Sequence, residues 1–218
     1  MTLQADFLTR LGIFVAPDFL DRETCERVRD EMVRSGGDPA TVTVRLTDDR
    51  LAERYRRTTI AEVSAETTSL IENRLLGVKE RLEESFSLEL EDCEKPQFLL
   101  YRKGDFIRPH SDGAQEEEAP DWLRKRTISC VVFLNDQSEE EVPGTFGGGA
   151  LTFYELLSQD PRGRSVGLPV APRAGLLVAF TADVVHGVTE VTRGERCTVV
   201  TWFRRLIDQP RAPKLGRR

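Results

Sequence analysis

The chain carries only two histidines, His110 and His186, and the first opens a His-Ser-Asp run that places Asp112 two residues on. In an extended strand residues i and i+2 face the same side, so the His110 imidazole and the Asp112 carboxylate can reach one point. His186 follows closely on the apolar run GLLVAF, where a neighbouring barrel strand could deliver it to that point. Two imidazoles and one carboxylate on one face of an ion leave about three positions open, an arrangement that suits non-haem Fe(II). A His-x-Asp pair alone is a weak signal. Charged residues are about a quarter of ordinary sequence, and an ordinary surface pair reads the same way.

Ten residues after His186 comes Arg196, within the run RCTVVTWF. On an inward-facing strand position a guanidinium needs an anion, and its planar fork matches a carboxylate through two parallel hydrogen bonds. Thr198 lies two further along, on the same face, and adds a hydroxyl donor. A surface or structural ion pair is the other reading of Arg196.

These residues need a scaffold. From Lys95 onward short β-rich runs appear (QFLLYR, RTISCVVFLN, ALTFYEL, GLLVAF, RCTVVTWF), separated by Gly, Pro and acidic clusters, the signal of an all-β barrel or sandwich. The first ninety residues read helical instead. Asp21 is placed to cap a helix carrying Cys25, Val28, Met32 and Val33 and ended by Gly36-Gly37. Ser64 is placed to cap a longer helix reaching Phe86, with Leu70, Ile71, Leu75, Val78 and Leu82 at helical spacing. Between them Thr41–Leu46 alternates like a strand, and the basic tract RLAERYRR reads as a solvated loop or helix face. Two loops, Gly113–Lys125 and Asp136–Gly148, each carry a Glu triplet. The first is too long for a tight hairpin and is expected to act as a lid. The expected organisation is one domain: 1–93 as mostly helical support, 94–205 as a β core, and 206–218 as a basic, solvated tail.

With these pieces in place, Gln97–Phe203 resembles the iron(II)/2-oxoglutarate-dependent dioxygenases, and most of all their prolyl-hydroxylase-like branch. The matching pieces are YRKGDFIRPHSDG, RTISCVVFLN, GGGALTFYE, APRAGLLVAF and HGVTEVTRGERCTVVTWF, in that order. The last is especially similar to domains that hydroxylate collagen prolines at the 3-position. The resemblance implies a mainly β chain with N-terminal helices (α+β), its core a double-stranded β-helix, that is, a jelly-roll barrel buttressed by those helices. It implies that His110, Asp112 and His186 ligate Fe(II) and that Arg196 binds the distal carboxylate of 2-oxoglutarate. Tyr101 would line the cosubstrate pocket and donate its hydroxyl, Leu151 and Val188 would form apolar walls, and Trp202 would pack beneath the final strand. Two departures stand out. Some relatives place a tyrosine where this chain has Phe133, and collagen 4-hydroxylases use Lys where this chain has Arg196.

The implied reaction couples decarboxylation of 2-oxoglutarate to succinate and CO2, with O2 consumed, to hydroxylation of an unactivated C–H bond. Ascorbate is a candidate accessory reductant. The implied substrate is a prolyl residue in a peptide or protein. A free amino acid, a small natural-product scaffold and, further off, a nucleic acid remain alternatives. Trp122, Arg126 and Tyr154 are candidates for the pocket mouth, each equally readable as structural.

Composition bears on the rivals. A net charge of −6 and a pI near 5.2 argue against a general nucleic-acid binder. The four cysteines form no CxxC pair, which fits reduced, mostly buried thiols in a cytoplasmic protein better than disulfides or a zinc knuckle. The longest apolar stretch, Gly175–Val185, is broken by Thr181 and Asp183, so no membrane span is expected, and the N-terminus shows no secretory pattern. Oligomeric state leaves no trace in the sequence.

Overall fold

A computed structural model describes residues 3–39, 55–114, 119–154, 156 and 166–205. The Thr41–Leu46 strand, the Glu116–Glu118 triplet and the basic tail lie outside the described residues.

Antiparallel sheets form the core. The largest has eight strands. Seven lie in the order β1 (Phe14–Ala16), β12 (Leu177–Thr181), β8 (Arg126–Phe133), β15 (Arg196–Arg205), β6 (Gln97–Tyr101), β4 (Thr59–Ala61), β2 (Gly37–Pro39). The eighth, β5 (Leu90–Cys93), also pairs with β15. A five-stranded sheet runs β11 (Leu168–Pro169), β10 (Leu151–Phe153), β13 (His186–Val188), β7 (Phe106–His110), β3 (Arg56–Arg57). A third ladder joins β14 (Val191–Gly194) to β9 (Phe146–Gly148). Among the described residues no ladder joins the two larger sheets into a closed barrel.

Period-2 alternation gives the large sheet its two faces. On one face Cys130, Val132, Leu177, Ala179, Cys197, Val199 and Phe203 share a buried cluster with helix residues. The helices are α2 (Arg22–Ser35), α3 (Ala65–Leu76) and α4 (Lys79–Phe86), which contribute Cys25, Val28, Met32, Ile71, Leu75 and Leu82. Burying each large side chain of this kind contributes about 1.5–3 kcal/mol. On the opposite face Val131, Phe133, Val178 and Phe180 meet Leu151 and Phe153 of the small sheet. The candidate ligands sit between the two sheets, on that second face.

The N-terminal expectations hold in part. Asp21 caps α2, its Oδ1 accepting from the Thr24 N–H at 2.7 Å, and Gly36 ends it at φ 64°. Ser64 caps α3, accepting from the Thr67 N–H, but the single helix expected to reach Phe86 is two. The chain breaks at Gly77-Val78, and the break lets Leu75, Val78 and Leu82 all enter the core. Glycine is among the weakest helix formers, so the bend falls there. The N-terminal region is also less helical than expected. It supplies β1, β2 and β4, which cover edges of the large sheet, and β3 on the small one. Strands of two or three residues are too short to show a period, and exposed edges favour such covering.

The basic tract RLAERYRR is described only from Tyr55 on: Arg56-Arg57 form strand β3 rather than a loop or helix, while Tyr55 and Arg57 are exposed as expected. The segment after Asp112 includes a short helix, α5 (Asp121–Lys125), following α1 (Leu3–Arg10) and α2–α4 in chain order. All four cysteines are free thiols, and Cys25, Cys130 and Cys197 are buried. No helix among the described residues is long and apolar enough to cross a membrane.

Candidate metal centre

His110 ends β7 and His186 begins β13, and the two are direct cross-strand partners. The ladder shifts register between His186 and Val188, an irregularity of the kind that re-aims side chains beside a site. Gly187 makes the close approach possible, since a Cβ there would lie 2.8 Å from the Ile107 carbonyl oxygen. The His110 Nδ1 lies 2.9 Å from the Arg108 carbonyl and the His186 Nδ1 3.0 Å from the Val184 carbonyl. With both Nδ1–H groups donating to backbone, each Nε2 lone pair is left for the site, which is how metal-binding imidazoles are held. Phe180 packs edge-on against the His186 ring at 4.6 Å and fixes it from the large sheet.

Asp112 completes the group. Its Oδ1 lies 3.3 Å from the His110 Nε2 and its Oδ2 3.4 Å from the His186 Nε2. One potential ligand atom from each of the three residues falls within 4.8 Å of the others. The route differs from the expected one, because Asp112 is not in an extended strand with His110. It lies in a bend just past β7, where the Asp112 and Gly113 N–H groups both donate to the Ala182 carbonyl, at 2.9 and 2.8 Å. A backbone clamp therefore does the work that strand periodicity was expected to do.

The electrostatics suit a cation. Burial alone would raise the Asp112 carboxyl, but His186, His110 and the Trp202 indole together hold it far below the usual carboxylate range. Ser129 Oγ also donates to Asp112 Oδ2 at 2.7 Å. Burial pushes His186 down, against the pull of Asp112. Burial opposes charge on His110 too, but there the hydrogen bond and charge of Asp112 win and raise it. An ionised carboxylate and imidazoles able to lose their protons are what a divalent ion requires.

Arg196 lies on the same face of the large sheet and is 1% exposed. Its Nη1 donates to Thr198 Oγ1 at 3.1 Å, and its guanidinium lies 4.6 Å from the centre of the Tyr101 ring and 5.3 Å from that of Phe133. Its Nε is buried without a hydrogen-bond partner, and among the described residues no carboxylate pairs with it. Burial pulls its pKa down, with the Tyr101 ring hydroxyl offsetting part of the shift. Burying a guanidinium costs free energy unless an anion or hydrogen-bond acceptors meet it. Gly149, at φ 61°, leaves the room: a Cβ there would lie 3.0 Å from Arg196 Cδ and 2.9 Å from Val191. Tyr101 is the cross-strand partner of Arg196, and Leu151 that of Val188. Tyr101 and Val188 pack in one buried cluster, which links Arg196 to the strand carrying His186.

Other expectations shift. Arg126, a candidate for the pocket mouth, has structural partners. It makes a two-pronged salt bridge to Glu94 at 2.8 and 2.7 Å and stacks between Trp122 and Trp202. The Tyr154 ring packs against Gly167. Three contributors were not singled out from sequence as site residues: Ser129, the Trp202 support of Asp112, and Arg56. Ser129 does show a signal, being the one polar residue within the apolar run ISCVVF. A two-residue strand offers none for Arg56.

Residues 96–204 match the 2OG-Fe(II) oxygenase superfamily. The chain belongs to that superfamily. Among curated relatives it is 33% identical over 110 residues to a PKHD-type hydroxylase of Maricaulis maris, covering 50% of this chain and 42% of that protein. It is 30% identical over 119 residues to the PKHD-type hydroxylase YbiX of Escherichia coli, covering 54% of this chain and 47% of that protein. The matches thus span less than half the length of these relatives. Among solved structures a Pseudomonas putida prolyl-4-hydroxylase superposes with a TM-score of 0.64 at 25% identity, over 93% of this chain and 97% of that one. A Trichoplax adhaerens prolyl hydroxylase superposes at 0.63 with 13% identity, over 92% and 87% of the two chains, which is likeness of fold alone. Below the superfamily, the chain is similar to PKHD-type hydroxylases and to a prolyl-4-hydroxylase.

Proposed function

We propose that this superfamily member is an Fe(II)/2-oxoglutarate-dependent dioxygenase that hydroxylates an unactivated C–H bond, its substrate a prolyl residue in a peptide or protein. One observation carries the reading: a compact His110–Asp112–His186 donor set accompanied by the buried guanidinium of Arg196, with which no carboxylate among the described residues pairs. A metal alone would explain the first part. The pair calls for a ligand that meets the metal at one end and presents a carboxylate at the other, as 2-oxoglutarate does. The prolyl preference rests on the printed identity of the relatives as PKHD-type and prolyl hydroxylases. In this reading the two facing sheets are the halves of a double-stranded β-helix.

His110, Asp112 and His186 would hold the iron, Arg196 and Thr198 the distal carboxylate, and Tyr101 the pocket wall beside it. Leu151 and Val188 would supply apolar surface that keeps water from the site. The bound iron and cosubstrate would supply O2 activation coupled to decarboxylation of 2-oxoglutarate, with one oxygen atom delivered to the substrate. The protein's part is positioning. The backbone carbonyls of Arg108 and Val184 orient the imidazoles, and Ser129 and Trp202 keep Asp112 ionised.

The test is incubation with Fe(II), 2-oxoglutarate and proline-containing peptides, read by succinate release and peptide mass. The expected result is a gain of one oxygen on proline that needs both iron and 2-oxoglutarate. Succinate release confined to non-amino-acid scaffolds would overturn the prolyl reading. No 2-oxoglutarate binding by the metal-loaded protein would overturn the dioxygenase reading itself.

A further inference from the structure

Arg56 is a guanidinium that neither the metal nor the cosubstrate uses. Strand β3 pairs with β7 so that Arg56 lies opposite Ile107. Cross-strand partners share a face, and Ile107 packs with Tyr101 and Val188 between the sheets. Arg56 therefore faces the site. Its neighbour Arg57 turns the other way, its guanidinium 5.8 Å from the centre of the Phe106 ring.

The surroundings agree. Asp112, Tyr101 and Arg126 all act electrostatically on Arg56, and Arg56 in turn acts on His110. Burial depresses its pKa, and Tyr101 and Asp112 offset this only in part. Its Nε is buried without a hydrogen-bond partner, and no ion pair is formed by it among the described residues. The neighbouring charges are already committed. Glu94 neutralises Arg126, Asp112 belongs to the histidine cluster, and Arg196 would serve 2-oxoglutarate. Among the described residues no anion answers this half-buried guanidinium, which calls for one.

We propose that Arg56 binds a carboxylate of the substrate, which makes the substrate class a carboxylate-bearing one. The inference rests on the dioxygenase reading and deepens it. The carboxylate has two possible sources: the α-carboxylate of a free amino acid, or an acidic side chain beside the target residue in a peptide. The recognition chemistry is the same for both, a fork of N–H donors on a planar anion.

The experiment uses the full chain loaded with Mn(II), as a stand-in for Fe(II), and 2-oxoglutarate, whose binding is measured first. Two probe pairs are then titrated by calorimetry: L-proline against L-prolinamide, and acetyl-Ala-Pro-Glu-amide against acetyl-Ala-Pro-Gln-amide. The acid member of one pair should bind about tenfold or more tightly than its neutral twin, and which pair discriminates identifies the source of the carboxylate. Arg56→Gln should abolish that difference while leaving 2-oxoglutarate affinity unchanged, and Arg56→Lys should restore part of it. Equal binding within both pairs, undetectable binding of all four probes included, overturns the proposal. So does discrimination that survives Arg56→Gln, or a loss of 2-oxoglutarate affinity in that variant, which would assign Arg56 to the cosubstrate. The wild-type comparison decides by itself if Arg56→Gln does not fold. Failure of the wild type to bind Mn(II) and 2-oxoglutarate would sink the dioxygenase reading and this inference together, whereas intact loading without discrimination sinks this inference alone.

Discussion

His110 and His186 are direct partners across the β7–β13 ladder, with ring centres 4.5 Å apart. The relation puts both imidazoles on rigid strands, and their Nδ1 atoms are tied to backbone carbonyls rather than to mobile side chains. Preorganisation of this kind means that metal binding needs little rearrangement, and it makes each ligand separately testable.

Alanine at His110, Asp112 or His186 should lower Fe(II) or Mn(II) affinity by more than the roughly 10–100-fold expected for loss of an outer partner. Circular dichroism should show the fold retained. Full metal occupancy in His186→Ala, measured by calorimetry, would remove that residue from the ligand set.

Ser129→Ala tests the outer partner itself. The lost hydrogen bond to Asp112 should weaken metal binding by about 10–100-fold, with little change in thermal stability. An unchanged metal affinity would mean that the serine only fills space.

Arg196→Met should separate stability from function. Removing an uncompensated buried charge should stabilise the metal-free protein by at least about 1 kcal/mol, since apolar replacements of buried ionic groups are often stabilising. The same variant should weaken 2-oxoglutarate roughly tenfold or more and spare the metal. Denaturant melts and cosubstrate titrations read the two effects independently, and unchanged 2-oxoglutarate affinity would refute the assignment of Arg196.

Gly149→Ala should reach the same pocket by steric means. The new methyl would crowd Val191 and Arg196 Cδ at a φ of 61°, a backbone conformation unfavourable for residues with a Cβ. A stability loss of about 1 kcal/mol or more is expected, together with weaker 2-oxoglutarate binding. Wild-type affinity would show that Arg196 is seated without help from this glycine.

The thiols should be inert in the native state. Burial pushes Cys25 up to about 11 and Cys197 up to about 12, and Cys130 higher still. At about pH 8 a thiol raised to about 11 is ionised only about one part in a thousand, so labelling should require unfolding. The half-buried Cys93 should react first. The sign for stability follows. These groups stay neutral in the fold but ionise in the unfolded chain near their ordinary value of 9.0, so stability should fall as pH rises from there through about 11–12. Rapid native labelling of all four cysteines would contradict the burial.

The chemistry of the candidate site was legible in the sequence because its residue types are rare there and its strands are long. Two histidines in the whole chain, one of them two residues from Asp112, left few ways to build a donor set. In the ten-residue β15 the strand period of two turns Arg196, Thr198 and Trp202 to one face. The α2 helix was legible for a similar reason, with its cap at Asp21 and its stop at Gly36 both local signals. What the tertiary structure alone decided depends on register between distant segments. Asp112 reaches the histidines through backbone bonds to Ala182 rather than through strand periodicity, and Ser129 meets Asp112 because β8 lies in the sheet facing it. Arg56 turns toward the site only because β3 pairs with β7 opposite Ile107. A two-residue strand has no period to read, so the direction of its side chains is set wholly by the strand it joins.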